Sequence, residues 1–423
     1  MVNVLLATGE QFNTVTRALA SSSGRVTVSG TYSPFVPSYL GDGLSEIAFS
    51  FATGSSDYII TNCDVFSNGG MEVAATSGGT VPQSWVVTAG TVAQSSAFAF
   101  EGTMSLQLTA GGVAYQDVNA NAGERFTVQL AIQGDGTQSG RAQLQNLLDL
   151  TYLTSSGGWQ APQAYFFTSA ASSFATRSVI GTVAAYASTM LYDTVPLRLQ
   201  LNVSATSATA YVDWASYFPS TALVSLHGFL NVDPNVSVKV ISSASSGMGS
   251  ATTEATMIAY RPSFYYAAAA PIDKQFIQVS FSGTQSTRSG AAYGGELILS
   301  QPITLQRVYD PARSLEFKDT QSRSQTVFGN QRVTRLDAHA SRQISLPYKF
   351  TSLAEYQDQR DQVYRRSGFG AFPAVIIPSS TDPEICILGL VEEHWVAIEG
   401  PKVNFWEGSK IVVIERGFPT WVS

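Results

Sequence analysis

The side chains that could move protons or grip metals are few and scattered. His227, His339 and His394 lie in different segments, none with a second ligand at metal-binding spacing. No His-Glu-X-X-His, Gly-X-Ser-X-Gly, phosphate-cradling loop or Cys-X-X-Cys occurs. Glu392-Glu393-His394 is the one tight acid–imidazole group, and it reads as a solvated strand end rather than an acid–base pair. Glycoside hydrolysis needs two carboxylates at a fixed separation, which sequence does not give. The acids here fall mainly in turns, so catalysis is not expected. What remains is adhesive chemistry. Trp85, Tyr115, Trp159 and Tyr165 could stack on the apolar faces of sugars, with Gln116 and Gln160 addressing hydroxyls. Trp159 follows Ser155-Ser156-Gly157-Gly158, a loop composition, and is expected at the surface.

The elements that must position these groups are short strands of alternating apolar and polar residues, separated by Gly, Ser, Thr and Asn. Between Ser67 and Phe218 they run in a definite order. Asn68-Gly69-Gly70-Met71-Glu72 opens the stretch, then come Ser84-Trp85, Phe98-Ala99-Phe100-Glu101-Gly102-Thr103-Met104-Ser105-Leu106-Gln107-Leu108 and Ala114-Tyr115-Gln116-Asp117-Val118. Leu197-Arg198-Leu199-Gln200-Leu201-Asn202 and Ala210-Tyr211-Val212-Asp213-Trp214 close it. This series resembles the jelly-roll carbohydrate-binding modules attached to xylanases and cellulases. The resemblance implies a β-sandwich with a core Trp at Trp85. It also implies a structural Ca²⁺ held by Glu72 and Asp213, whose hard oxygens suit that ion. Trp214 departs from the pattern, which often has a second acid there.

Composition sets the bounds. The chain has 423 residues, enough for two or three domains. Only 13% of residues are charged, and 24 Lys and Arg against 31 Asp and Glu leave a net charge of −7. Such a balance argues against a nucleic-acid surface. Cys63 and Cys386 stand far apart, so no disulfide framework is expected. Met1-Val2-Asn3-Val4-Leu5-Leu6 lacks the basic start of a signal peptide, and no apolar run is long enough to insert in a membrane.

Residues 1–66 hold three or so strands with nothing to close them. Thr221–Leu230, Val236–Ile241, Gln275–Phe281 and Gly295–Leu299 could supply the missing partners. That order resembles the discoidin-like sandwiches of phage tail and collar proteins. The expected fold is therefore mainly β, a discoidin-like β-sandwich (1–66 plus 219–309) interrupted by an inserted jelly roll (67–218). A small β-sandwich-plus-helix domain, 310–423, follows. Three domains in simple succession stay open as an alternative. The last segment resembles small domains of phage tail tube, hub and collar proteins, and Ser352–Arg366 is its expected helix, capped by Ser352 or Thr351. Arg332, Arg335, Arg342, Arg360, Arg365 and Arg366 make that segment basic. Of these, Arg342, Arg360, Arg365 and Arg366 are the expected contacts between subunits. Together the resemblances imply a tailed-phage virion component of collar, neck or tail. It would be made in the host cytoplasm and built into a ring with copies of itself and neighbouring virion proteins. Its partners could include cell-surface glycans. A glycan-binding adhesin and a polysaccharide-degrading enzyme with a binding module are the rival readings.

Overall fold

A computed structural model describes most of residues 65–282, namely 65–75, 80–184, 194–227, 236–258 except 246, and 263–282. Outside them it describes strands and one short helix between residues 5 and 415. The fold is mainly β. The chain divides into two compact units, one of 63–220 with 273–275, the other of 1–62, 221–272 and 276–423. The first stands beside the expected span of 67–218.

The first unit is one antiparallel sheet of ten strands. In spatial order it runs Trp159–Gln160, Tyr152–Leu153, Gly140–Asn146, Thr194–Val203, Ser105–Asn121, Thr209–Pro219, Arg125–Gln133 and Ala175–Thr182. Phe167–Ser169 joins Gly140–Asn146, and Val86–Ser95 joins Ser105–Asn121. Ser105–Asn121 is the spine of the sheet. Its first part, 106–109, pairs with Thr209–Val212, and its second, 113–121, pairs with Thr194–Asn202. Between the two parts the chain turns a corner, with positive φ at Ala110 and Gly111. Gly90 meets it from the neighbouring strand, also at positive φ, where a Cβ would come 2.3 Å from the Gly112 nitrogen. Only glycine fits so close an approach.

Curling brings the two ends of the sheet together. The Trp159 Nε1–H donates to the Thr182 carbonyl at 2.7 Å, joining the first strand of the order to the last. Its ring lies 6.2 Å from that of Phe126. Inside the curl, alternate residues of each strand make the core: Leu106, Leu108, Leu130, Leu144, Leu197, Leu199 and Leu201 are fully buried, as are Phe126 and Tyr217. Each such apolar side chain contributes about 1.5–3 kcal/mol relative to exposure. Tyr217 stacks on Phe126 with ring centres 4.9 Å apart, and its hydroxyl donates to Glu124 Oε1.

The second unit contains several sheets. One runs Thr252–Ile258, Ser237–Ser243, Phe276–Ser282, Ser56–Asn62, Arg25–Thr27, the last pair parallel. Another places Thr221–His227 between Ser263–Ile272 and Glu296–Ser300. An eight-stranded sheet holds Ser314–Lys318, Ser341–Phe350, Pro373–Ile377, Ile387–Val391, Ile398–Glu399 and Trp406–Glu415, and also Leu5–Ala7 and Ile303–Thr304. The expected boundary at 310 therefore does not divide this unit. Two- and three-residue strands pair through their backbone and are too short to show periodicity in sequence. The helix spans Leu353–Gln359, with Ser352 Oγ accepting the Glu355 N–H at 3.2 Å. It is shorter than the expected Ser352–Arg366, and Leu353 in its first turn is 47% exposed.

The Trp159 latch has a measurable weight. Trp159→Phe keeps a ring but loses the bond to Thr182, and should cost about 1 kcal/mol in urea denaturation. Trp159→Ala should cost roughly 2–4 kcal/mol. Wild-type stability in both variants would contradict the latch.

Candidate functional site: an open sheet face

Strand partners in an antiparallel sheet share a face, so register decides which polar residues stand together. Three rows cross the outer face of the curled sheet. Asp117, Arg198, Gln145, Tyr152 and Gln160 form one. Val86, Tyr115, Gln200 and Gln143 form the next, and Val113, Asn202, Arg141 and Thr168 the third. The residues between them, Ala114, Leu197, Leu199, Leu201, Ala142 and Leu144, are fully buried on the opposite face. The rows carry long amides, arginines and tyrosines.

The face is pre-arranged. The Arg198 guanidinium lies 3.9 Å above the Tyr115 ring and donates to both oxygens of Asp117, at 2.7 and 2.8 Å. Asp117 holds the Arg198 charge, raising its pKa. Arg141 lies 5.1 Å from the Tyr165 ring centre. The Gln163 amide donates to Gln143 Oε1 and, at 3.4 Å, to the Tyr165 hydroxyl. Amides beside flat rings are groups that can meet the hydroxyls and the C–H face of a sugar.

Register corrects three of the expected sugar contacts. Gln116 sits one position from Tyr115 and so points the other way. It is 6% exposed, with Oε1 accepting the Ser67 N–H and Nε2 donating to the carbonyls of Ser67 and Ser84. Trp85 is 5% exposed in the core, its Nε1–H on the Asn68 carbonyl. Trp159 is half-buried and serves the latch, while its neighbour Gln160 is exposed. Tyr115 and Tyr165 do belong to the face. Arg141, Gln145, Arg198 and Gln200 were missed, although the alternation of 141–146 and 197–202 carries them, as was Tyr152 on its own short strand.

Glu72 and Asp213 lie elsewhere, gripping one loop. Asp213 Oδ2 accepts the N–H groups of Phe100 and Glu101, at 2.7 and 3.0 Å, and Oδ1 that of Trp214. Glu72 Oε1 accepts the N–H groups of Thr103 and Met104, and Oε2 the Thr103 hydroxyl. The two residues expected to hold Ca²⁺ thus have all four carboxylate oxygens accepting hydrogen bonds, from this loop and from the Trp214 N–H. Among the described residues no cluster of three metal-ligating side chains occurs. The loop they hold presents Phe98 and Phe100, 47% and 44% exposed. Phe98 packs edge-on to Tyr211, and Phe100 against Trp214 and Phe174. The sequence pattern reads Phe98–Leu108 as one strand, whereas the strand begins at Ser105 and Phe98-Ala99-Phe100 lie in the loop before it.

No family model and no curated protein matches the chain. Among solved structures it is similar to the CBM22-1 xylan-binding domain of Paenibacillus barcinonensis Xyn10C, at 12% identity and a TM-score of 0.24, over 33% of this chain and 88% of that one. It is also similar to TmCBM61, solved in complex with β-1,4-galactotriose, at 10% identity and a TM-score of 0.25, over 37% and 98%. A third is the enzymatically active domain of bacteriophage CBA120 tailspike protein 4, at 15% identity and a TM-score of 0.25. That likeness covers 37% of this chain and 21% of the tailspike. Values this low transfer no role to individual residues.

The expected subunit contacts are only partly in view. Arg342 lies on the strand Ser341–Phe350, opposite Phe317, and Arg360 caps the C-terminus of the helix. Arg365 and Arg366 fall outside the described residues, as do Cys63 and Cys386.

The loop clamp makes stability depend on pH. Burial raises the Asp213 pKa from 3.8 to about 6, against the pull of its three N–H donors. The folded state thus holds the proton more tightly than the unfolded chain. The resulting stability is full below the ordinary pKa and is lost as pH rises from about 4 to about 6, by up to roughly 1.4 kcal/mol per unit. Glu72, in spite of some desolvation, is held below its usual value by the Thr103 hydroxyl and the Met104 and Thr103 amides, and works in the opposite sense. Chemical denaturation across this range should show the slope of Asp213 flattened in Asp213→Asn. An unchanged slope in the variant would contradict the assignment.

Proposed function

We propose that the curled-sheet unit is a glycan-binding jelly roll, carried by a structural protein of a tailed bacteriophage virion. One observation supports the binding reading above others. The outer sheet face sets two tyrosines, each under an arginine, among Gln145, Gln160 and Gln200. Such a surface offers stacking and hydrogen bonding together, and is held in place by its own contacts before a ligand arrives. We read the unit as binding sugars without cleaving them. Asp117, the carboxylate in these rows, is engaged by both arms of Arg198. Placement at the collar, neck or tail, in a ring of copies, rests on the layout of the sequence. Many weak sites on one particle would then act together.

Two measurements bear on this reading. Purified protein on a glycan array should bind a polysaccharide, and Tyr115→Ala should weaken that binding about tenfold or more. Trp85→Phe, a change inside the core, should leave it near wild type. An array blank for the folded protein would remove the glycan reading. Separately, the mass in solution should be a multiple of the chain mass; a single-chain mass at high concentration would remove the ring and leave the sugar face standing.

A further inference from the structure

We infer that the ligand of this face is an acidic glycan, whose carboxylate is received by Arg141. The inference rests on the glycan reading and names the class of sugar within it. The two arginines of the face differ in one decisive respect. Arg198 is neutralised by Asp117 through a two-pronged contact. Arg141 has no carboxylate within ion-pair distance among the described residues, and its guanidinium donates no hydrogen bond to them.

Arg141 is nevertheless held in place. It lies over the Tyr165 ring, whose hydroxyl is met by Gln163, and Gln163 is tied in turn to Gln143, only 3% exposed. A ring under a guanidinium fixes its plane and leaves the in-plane N–H fork as the edge that recognises a carboxylate. Arg141 stands between Asn202 and Thr168 in its row, so the groups beside it are neutral donors and acceptors. Two strand spacings, about 10 Å, separate it from the strand of Tyr115. One ligand could reach both. In a chain of net charge −7, an uncompensated positive group on this amide-rich face is not part of a general basic surface.

The test compares uronic-acid oligosaccharides (oligogalacturonate, alginate and hyaluronan fragments) with their methyl esters, which keep the sugar and remove the charge. Calorimetry with the full chain should show at least one acid bound about tenfold more tightly than its ester at low salt, since a charge-assisted pair is at stake. High salt should narrow the gap. Arg141→Gln should bring the acid down to the affinity of the ester, whereas Arg141→Lys, which keeps charge without the fork, should fall between. Circular dichroism of each variant checks that it is folded. If acid and ester bind equally in the wild type, or Arg141→Gln keeps the preference, this inference is overturned while the glycan reading stands. If no oligosaccharide of any kind binds, both fall.

Discussion

A strand that packs against a core on one side can offer only every second residue to the other. In the curled sheet this alternation governs nearly everything else. Leu197, Leu199 and Leu201 are driven inward, so Arg198, Gln200 and Asn202 must stand outward. The same holds for 113–118 and 141–146, and the ladder of antiparallel pairs lines their outward residues up in rows. The burial that stabilises the unit and the surface offered to a ligand are therefore two sides of one pattern. A slip of one residue in register would exchange them. The Gly90–Gly112 corner and the Trp159 latch keep that register while the sheet bends.

The opening motif, which carried the likeness to carbohydrate-binding modules, is mechanical. Asn68 donates its amide to the carbonyls of Val73 and Gln83 and accepts the Val73 N–H. Gly69 lies against the bulge after Asp213, where a Cβ would come 1.8 Å from the Ala215 carbonyl oxygen. Met71 is fully buried, and Glu72 reaches across to grip Thr103 and Met104. Every residue with a described role here serves the turn or the loop clamp. The motif speaks for the fold and says nothing of what the sheet face holds.

Alternating strands such as Leu197–Asn202 could be read directly, because buried and exposed positions differ so sharply in residue type. Tyr115 and Gln116 could not both be contacts, since adjacent strand residues face opposite ways; reading them as a pair ignored the period of two. Trp159 misled for another reason. Its Ser-Ser-Gly-Gly approach is that of a loop, while its true role depends on Thr182 and Phe126, and sequence distance hides such contacts. Arg198 over Tyr115, and Asp213 under the loop at Phe100, likewise join residues far apart in the chain. Short pairings such as Leu5–Ala7 with Pro373–Ile377 leave no sequence signal, so the strand that 5–7 adds to the sheet of 303–415 could not be read.

The sheet face as the binding surface is the claim on which the functional account depends. An amide-resolved NMR titration with a bound oligosaccharide tests it most directly. The account predicts shifts at the side-chain amides of Gln145, Gln160 and Gln200 and the backbone of 198–202, with the loop at 98–104 unmoved. Shifts centred on Phe98 and Phe100, with the Gln200 and Gln145 signals unchanged, would contradict it.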